Sequence, residues 1–313
     1  MTEPGTMVSI LVVSYNTREL TLACLRSVIE ETRVPYELIV VDNASSDGSA
    51  QAIANEFPQV RLLAERENHG FGKGNNLAAK HARGDYILLL NPDTVVLNSA
   101  IDKLVAFARA TPDAKIWGGR TLFPDGTLNA TSCFQQMTLW NVFCRASGLT
   151  AISRNHRFFS EAYGGWDMND VRPVEIVTGC FLLMPRELWE ELDGFDTSYF
   201  MYGEEVDLCL RATRQYGATP HFTPDATIIH YGGASEPVRA DKLVRLFKAK
   251  LSLVRNHFPA WERPVGEHLL TMIPLSRYSV LSAVASVTGH QRARASAKVW
   301  GEVWARRAEW RDE

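Results

Sequence analysis

The chain has 313 residues, of which 46% are hydrophobic and 22% charged, the composition of an ordinary soluble globular protein with one large domain or one domain and an appendage. Its five cysteines lack Cys-x-x-Cys spacing, which argues against a disulfide framework or a zinc site and favours a reducing cytoplasm. The net charge of -3 is uneven, because residues 239–313 hold 14 Lys and Arg against 7 acidic residues and residues 1–238 hold 19 against 29.

The first 120 residues alternate between predicted strands and helices. Continuous apolar runs are typical of strands buried on both faces, and apolar residues at helical spacing indicate the helices. The pattern predicts strands at 8–14, 37–41, 60–63 and 85–90, and helices at 17–31, 49–56, 73–82 and 99–110. This rhythm predicts an α/β protein with an open, doubly wound, mostly parallel sheet.

The second half of the chain breaks this rhythm. Residues 121–173 are rich in glycine, aromatic and polar residues and are expected to be irregular. The later pattern predicts a strand at 174–184, a helix from Pro185, a helix at 203–216, a short strand at 227–230 and an amphipathic helix at 239–258. No signal peptide is expected at the N-terminus, and Pro274 and Arg277 make residues 268–289 a poor membrane span.

Polar groups follow three of the predicted strands at the point where each strand ends. The first strand ends in Ser14-Tyr15-Asn16, the second in the segment 42–48, and the fourth in Asn91-Pro92-Asp93. Ligands of open parallel sheets bind beyond the carboxyl ends of the strands. The convergence of these groups on one edge therefore predicts a ligand site.

Some of these groups also have a structural interpretation. Asn16 and Glu19 have the spacing of a helix capping box, and the segment 42–48 has the composition of a turn. Asp42 nevertheless follows four apolar residues, where a carboxylate needs a partner such as a base or a ribose hydroxyl. The glycine-rich run 68–76 could bring backbone amides to a phosphate, but it matches neither a P-loop nor a dinucleotide fingerprint.

Two further motifs contain carboxylates. Asp93 at the end of a buried strand suits a hard cation such as Mg²⁺ or Mn²⁺, although Asn-Pro also initiates turns. The segment 204–207 holds three acidic residues at the start of a helix, where the macrodipole favours them. Asp207 is expected to pair with Arg211 four residues later.

Together these motifs resemble family 2 glycosyltransferases with the GT-A fold, and within them the bacterial rhamnosyltransferase-like branch. The resemblance spans about residues 7–258 and rests on VVSYNT (Val12–Thr17), VVDNASSDGS (Val40–Ser49), NHGFGKGNN (Asn68–Asn76), LLLNPD (Leu88–Asp93), VTGCFLLMPRE (Val177–Glu187), GFD (Gly194–Asp196), YGEEVDLCLRA (Tyr202–Ala212) and His230. We expect a catalytic domain at 1–238, with a nucleotide-binding half at about 7–120 and an acceptor half at about 121–238. A basic, amphipathic helical region is expected at 239–313.

The resemblance implies roles for particular residues. Those that would bind the donor nucleotide are Ser14, Asn16 and Asp42 around the nucleoside, the Asn75 region near the ribose and diphosphate, and Asn91 with Asp93. Asp93 is the retained metal carboxylate of the family's Asp-x-Asp motif, and His230 matches a second metal ligand. Glu205 matches the general base, with Glu204 as the alternative because a Glu-Glu pair replaces the usual Glu-Asp pair.

The function implied is transfer of a sugar, with L-rhamnose from dTDP-rhamnose favoured, from a nucleoside-diphosphate donor with inversion. The acceptor would be a glycan or lipid-linked glycan of cell-wall or polysaccharide biosynthesis, and no nucleic-acid partner is expected. Aromatic faces for the acceptor are expected from Trp166, Tyr199, Tyr202 and Tyr231.

Two alternatives remain at this point. A nucleotidyltransferase that makes a nucleotide sugar should show a basic, glycine-rich pyrophosphate loop after the first strand, and Ser14–Arg18 does not supply one. A non-catalytic sugar-nucleotide binding protein would not need Asp93, Glu205 and His230.

The basic tail predicts a partner of its own. Residues 296–311 place Trp300 and Trp304 one helical turn apart, flanked by Val299, Val303, Lys298, Arg306, Arg307 and Arg311. Tryptophan with basic residues suits the headgroup zone of an anionic membrane, which predicts peripheral attachment to the inner face of the plasma membrane. The alternative is that these tryptophans dock onto the catalytic domain or onto a second subunit of a homodimer.

Overall fold

A computed structural model of the chain describes residues 7–151, 158–232 and 240–311. The chain divides into two compact units. The sheet unit comprises Met1–Gln135, Trp166–Phe200 and Glu204–Ser235, and the helical unit comprises Gln136–Gly165, Met201–Gly203 and Glu236–Glu313. All five cysteines are buried free thiols.

The strands and helices of the described residues are as follows. The strands are β1 (Val8–Ser14), β2 (Tyr36–Asp42), β3 (Arg61–Ala64), β4 (Tyr86–Leu90), β5 (Thr94–Val96), β6 (Trp117–Leu122), β7 (Cys133–Phe134), β8 (Arg172–Pro173), β9 (Ile176–Val177), β10 (Phe181–Pro185) and β11 (His221–His230). The α-helices are α1 (Arg18–Glu31), α2 (Ser49–Glu56), α3 (Gly70–Ala79), α4 (Ala100–Ala110), α5 (Leu139–Ser147), α6 (Arg186–Glu191), α7 (Glu204–Tyr216), α8 (Ala240–His257), α9 (Arg263–Thr288), α10 (Gln291–Ala305) and α11 (Arg307–Arg311).

The predicted alternation over the first 120 residues is confirmed, and it builds the parallel part of a mixed nine-stranded sheet. The strand order is β3-β2-β1-β4-β10-β6-β11-β5, with β8 beside β11, and β7 and β9 form a separate pair. Side chains alternate along β1, so Val8, Ile10 and Val12 pack in a core with α1 and α4. Val13 points the other way, toward Gly74 of α3. Helices therefore cover both faces, as a doubly wound sheet requires.

The second half of the chain differs from the sequence prediction in three places. The strand expected at 174–184 is two strands, β9 and β10, and β10 lies antiparallel between β4 and β6. The strand expected at 227–230 begins at His221, and the irregular register around Pro224 hides its first part from the pattern. The segment 121–173 was expected to be irregular, but it contains α5, which begins at a Thr138–Asn141 capping box.

The helical unit has an apolar core of its own. The amphipathic helix predicted at 239–258 is confirmed as α8, and its apolar face packs against Val142 of α5 and Leu270 of α9. The long helix α9 lies within the helical region predicted at 239–313, and it continues through Pro274.

Part of the tail patch predicted to face a membrane packs within the helical unit. Val303 is fully buried in the core of this unit, and the rings of Trp300 and Phe247 meet edge to face with centroids 6.2 Å apart. Lys298, Arg307 and Arg311 of the same patch are exposed. Membrane attachment of the tail stays a prediction.

Candidate functional site

The carboxyl ends of β1, β2 and β4 meet at one edge of the sheet, here called the strand-end edge. Ser14 and Asp42 are paired in the register of β1 with β2, and Leu90 at the end of β4 is paired with Val12 of β1. The predicted meeting of these three strand ends follows directly from the parallel pairing of the strands.

Ser14 and Asn16 stabilise the loops at this edge. The Ser14 hydroxyl is buried and lies 2.9 Å from Thr21 Oγ1, so it ties β1 to α1. Asn16 has φ of 51°, and its Oδ1 accepts from the Ser46 backbone N–H at 2.8 Å. The capping box with Glu19 is not formed, since α1 has Thr17 at its N-cap without a side-chain cap. Asn16 instead links the loops that follow β1 and β2.

Two buried acceptors at the end of β2 lack donors. Asp42 is 2% exposed, and its Oδ2 accepts from the Ser45 backbone N–H at 3.1 Å. Within the described residues, Asp42 Oδ1 and Asn43 Oδ1 have no hydrogen-bond partner. A buried acceptor without a donor costs about 1–3 kcal/mol, and a base N–H or ribose hydroxyl would supply one. Sequence analysis did not select Asn43, although it directly follows Asp42 in the same motif.

The glycine-rich run serves packing. A Cβ at Gly70 would lie 2.2 Å from the Phe200 carbonyl oxygen, and one at Gly74 would lie 2.9 Å from Val13 Cγ1. These glycines therefore let α3 approach its protein neighbours, which explains them without a phosphate. Asn75 is 1% exposed, and its Nδ2 donates to the Phe71 carbonyl within α3 at 3.0 Å.

Asn76, not selected from the sequence, connects α3 to the Gly194-Phe195-Asp196 segment. Its Nδ2 donates to the Phe195 carbonyl at 2.7 Å, and its Oδ1 accepts from the Phe195 backbone N–H at 2.9 Å. The backbone N–H and carbonyl of one residue, Phe195, are thus both satisfied by a single side-chain amide. The sequence offered one indication of this role, since Asn76 directly follows Asn75 at the end of the glycine-rich run.

Asp93 and His230 lie together, as the resemblance implied. Antiparallel pairing of β5 with β11 places His230 opposite Thr94, and Asp93 Oδ1 is 3.3 Å from His230 Nε2. The Gly232 backbone N–H donates to Asp93 Oδ2 at 3.1 Å, and Asn91 Nδ2 is also 3.3 Å from His230 Nε2. The strand-four motif and the late histidine therefore form one cluster.

The charge state of this cluster depends on its neighbours. Burial on its own lowers the pKa of His230, but the nearby Cys180 thiol and the Asp93 carboxylate outweigh burial and raise that pKa to about 10. These neighbours favour the protonated form of the imidazole when no metal ion is bound. A metal ion bound through Nε2 must displace this proton, as metal binding to histidine generally does.

The pair fits a divalent cation as a partial ligand set. Two neighbouring donors of an octahedral ion with bonds of about 2.1 Å are about 3 Å apart, close to the 3.3 Å between Asp93 Oδ1 and His230 Nε2. Asn91 Oδ1, buried and without a hydrogen-bond partner in the described part of the chain, is a third donor atom on a side chain that contacts His230. No group of three His, Cys, Asp or Glu side chains in residues 7–151, 158–232 and 240–311 could hold a metal alone. Substrate phosphates and water commonly complete such sets.

Glu204 and Glu205 open α7 beside the turn between β9 and β10. Glu204 is 3% exposed, whereas Glu205 is partly exposed. A Cβ at Gly179 in this turn would lie 3.6 Å from Glu205 Cβ, so the turn and the start of α7 are within van der Waals reach. The Asn91 backbone N–H donates to the Cys180 carbonyl in the same turn at 3.1 Å. One short turn thus connects the predicted base to the strand-four motif.

Asp207 has the structural role expected of it. Its Oδ2 accepts from Arg211 Nε at 2.7 Å, and the same guanidinium donates to the carbonyls of Leu192 and Gly194 at 2.7 Å each. This buried ion pair anchors α7 to the segment that Asn76 also holds.

Within the sheet unit, two of the three aromatic residues expected to contact the acceptor are buried. Trp166 is 9% exposed and packs edge to face on Phe222, and Tyr199 is 3% exposed. Tyr231, 41% exposed and directly after His230, keeps an accessible face. Tyr202 belongs to the helical unit, where Lys242 lies over its ring. The expectation is therefore wrong for Trp166 and Tyr199, whose rings are used in packing.

Comparisons with known proteins identify similar enzymes. The Glycosyl transferase family 2 profile matches residues 9–162. The chain is 28% identical over 227 residues to the N-acetylglucosaminyl-diphospho-decaprenol L-rhamnosyltransferase of Mycobacterium tuberculosis, covering 66% of this chain and 70% of that protein. It is 30% identical over 270 residues to the O-antigen biosynthesis protein RfbC of Myxococcus xanthus, covering 83% of this chain but only 20% of that much longer protein.

A solved structure shares the fold. The mannosyltransferase PcManGT of Pyrobaculum calidifontis, determined in complex with GDP-Man and Mn²⁺, superposes with a TM-score of 0.57 at 18% identity, covering 100% of this chain and 89% of that one. The likeness confirms the predicted GT-A arrangement of an α/β sheet with C-terminal helices.

Proposed function

This chain belongs to glycosyltransferase family 2, and we propose that it transfers L-rhamnose from dTDP-rhamnose to a glycan or lipid-linked glycan with inversion at the anomeric carbon. The main support for the proposal is the turn between β9 and β10. This turn contacts the strand-four motif, which contains the Asp93–His230 pair, and it also contacts the start of α7, where Glu205 lies. The similarity to an L-rhamnosyltransferase of Mycobacterium tuberculosis supports the rhamnosyl donor. The five free thiols support action in a reducing cytoplasm.

In the proposed mechanism, the end of β2 holds the nucleoside, with Asp42 Oδ1 accepting a hydrogen bond from the base or ribose. Asn16 and Ser14 keep the two strand-end loops in position for this contact. Asn75 stabilises the first turn of α3 beside the diphosphate. The residues that would hold Mg²⁺ or Mn²⁺ are Asp93 and His230, with Asn91 adjacent. The bound cation would offset the negative charge that grows on the leaving diphosphate.

Glu205 removes the proton from the acceptor hydroxyl as that oxygen attacks. The hydroxyl has a pKa far above neutrality, so a positioned carboxylate is needed to take its proton. The partly exposed Glu205 can meet an acceptor that arrives from solvent, whereas Glu204 is buried. Attack opposite the diphosphate inverts the anomeric configuration, and no covalent enzyme intermediate forms.

A donor screen with purified full-length chain tests the proposal. We expect dTDP-rhamnose to be turned over in the presence of Mn²⁺, to raise Tm, and to be inert in excess chelator, with UDP-glucose, UDP-GlcNAc and GDP-mannose as comparison donors. The anomeric configuration of the product, read by NMR, checks inversion. Exclusive turnover of a UDP-hexose would refute the rhamnosyl donor, and full activity in chelator would refute the metal.

A further inference from the structure

The helical unit contains a helical hairpin with an exposed tip. Gly289, with φ of 66°, ends α9, and α10 begins at Gln291. A Cβ at Gly301 would lie 3.0 Å from the Tyr278 ring, so positions on either side of the turn meet and the two helices run antiparallel. We define the hairpin tip as residues 278–294.

The two halves of α9 differ in what covers them. Leu270 and Ile273 in the first half are buried in the core of the helical unit. In the second half, Val280, Val284 and Val287 are 62%, 42% and 87% exposed. Their spacing of four and three residues puts them on one face of the helix. Single exposed apolar residues are common, but three in a helical stripe indicate a contact surface.

The charges around this stripe have one sign. The sequence has no aspartate or glutamate between Glu267 and Glu302, whereas the same stretch contains Arg277, Arg292, Arg294 and Lys298. Arg292, Arg294 and Lys298 are exposed at the start of α10. An apolar stripe bordered by exposed basic side chains is typical of helices that bind at an anionic lipid interface.

A second copy of the chain fits this surface less well. In a two-fold dimer the same patch faces itself, so the basic side chains of both copies would be brought together, and residues 268–301 contain no acidic residue to pair with them. An anionic bilayer instead complements the arginines while its acyl boundary accepts the valines. By length and a mean hydropathy of 1.3, α9 could also cross a bilayer. However, burial of Leu270 and Ile273 within the unit leaves only the second half of α9 available to lipid.

We propose that the hairpin tip docks onto the surface of an anionic lipid bilayer, with Val280, Val284 and Val287 at the headgroup–acyl boundary and Arg292 and Arg294 among the phosphates. The proposed membrane contact differs from the one predicted from the sequence, which used the tryptophans of the tail. Of these, Trp300 packs against Phe247 in the helical unit. The inference goes beyond the proposed function, because it concerns where the protein sits and does not depend on the sugar transferred.

Vesicle flotation of the full chain tests this without donor or acceptor, so its outcome is independent of the proposed activity. We expect flotation with vesicles of phosphatidylcholine and 30% phosphatidylglycerol in 50 mM salt, but not with phosphatidylcholine alone. Raising the salt to about 500 mM should release the protein, because the attraction is screened. Retention at high salt would indicate a spanning helix and overturn surface docking.

Two sets of variants locate the contact. Arg292→Gln with Arg294→Gln should weaken binding about 25-fold, from about 1 kcal/mol per basic residue near the surface. Lys103→Gln with Arg109→Gln removes the same charge from exposed positions of the sheet unit and should change binding less than twofold. Val284→Ser with Val287→Ser should weaken binding at least about tenfold. The control is Val265→Ser, 48% exposed in the same helix but about 33 Å from Val287 along its axis.

Each variant is first checked for an unchanged melting curve, which we expect because every substituted side chain is exposed. Equal losses in the control and tip variants would overturn the location of the contact. If the tip variants bind lipid normally but convert a dimer to a monomer in sedimentation, the tip is a contact between copies and the proposal is wrong.

Discussion

The strand-end edge of the sheet unit and the hairpin tip of the helical unit depart from ordinary burial in opposite ways. At the edge, polar atoms such as Asp42 Oδ1 are buried and lack a donor within the described residues. At the tip, apolar side chains such as Val287 are exposed. An unsatisfied buried acceptor favours a specific ligand that restores its hydrogen bond, whereas exposed apolar surface favours association driven by area. The two regions should therefore respond to different substitutions.

The largest expected effect is at the Asp93–His230 pair. Asp93→Ala should lower transfer by at least about 10³-fold, since a metal supplies several kcal/mol of charge stabilisation. Metal-dependent donor binding, measured by calorimetry with and without Mn²⁺, should be lost as well. Asp225→Ala, an exposed aspartate of β11, is the matched control and should behave as the unchanged protein. Preserved metal dependence in Asp93→Ala would contradict the assignment.

Glu205→Gln should lower kcat by about 10²–10⁴-fold, the usual contribution of a general base. Donor affinity should be kept, because Glu205 acts on the acceptor. Single-turnover rates and donor titration of the same preparation separate the two quantities. If Glu204→Gln gives the large loss in kcat while Glu205→Gln does not, the base is the neighbouring residue.

Asp42→Asn should weaken donor binding about 10–100-fold, since a hydrogen bond to a charged group contributes about 1.5–3 kcal/mol. Turnover at saturating donor should change little, because the contact is made to the nucleoside and not to the reacting carbon. Donor titration by calorimetry measures the effect. Asp113→Asn, at an exposed position of the same unit, should leave affinity unchanged. An unaltered affinity in Asp42→Asn would place the nucleoside elsewhere.

The smallest effect on donor binding is expected from the core of the helical unit. Trp310 is 2% exposed, and its Nε1 donates to the Val303 carbonyl at 3.1 Å. Trp310→Ala should lower the free energy of unfolding by about 3–5 kcal/mol while donor affinity stays within twofold. Trp261→Ala, 72% exposed in the same unit, should leave the melting curve unchanged. A loss of donor affinity in Trp310→Ala would show that the two regions are coupled.

The parallel half of the sheet and the order of its motifs follow from local patterns. The apolar run of β1 and the polar residues that follow β1, β2 and β4 can be read in the chain because burial and strand ends leave a local signature. The bounds of α9 within the predicted helical region do not follow from a local pattern, because Pro274 lies inside this helix without ending it. An apolar stripe likewise does not say what covers it, since Trp300 and Val303 pack within the helical unit.

The sequence by itself determined which residues could do chemistry, because carboxylates at strand ends and the ordered family motifs are local features. Only the tertiary structure decided which of them meet. The antiparallel pairing of β5 with β11 brings His230 to Asp93, and no local period encodes a contact between strands so distant in the chain. Tertiary packing also explains Gly70 and Gly74, which let α3 approach its protein neighbours closely. It likewise buries Val303 and leaves Val287 exposed.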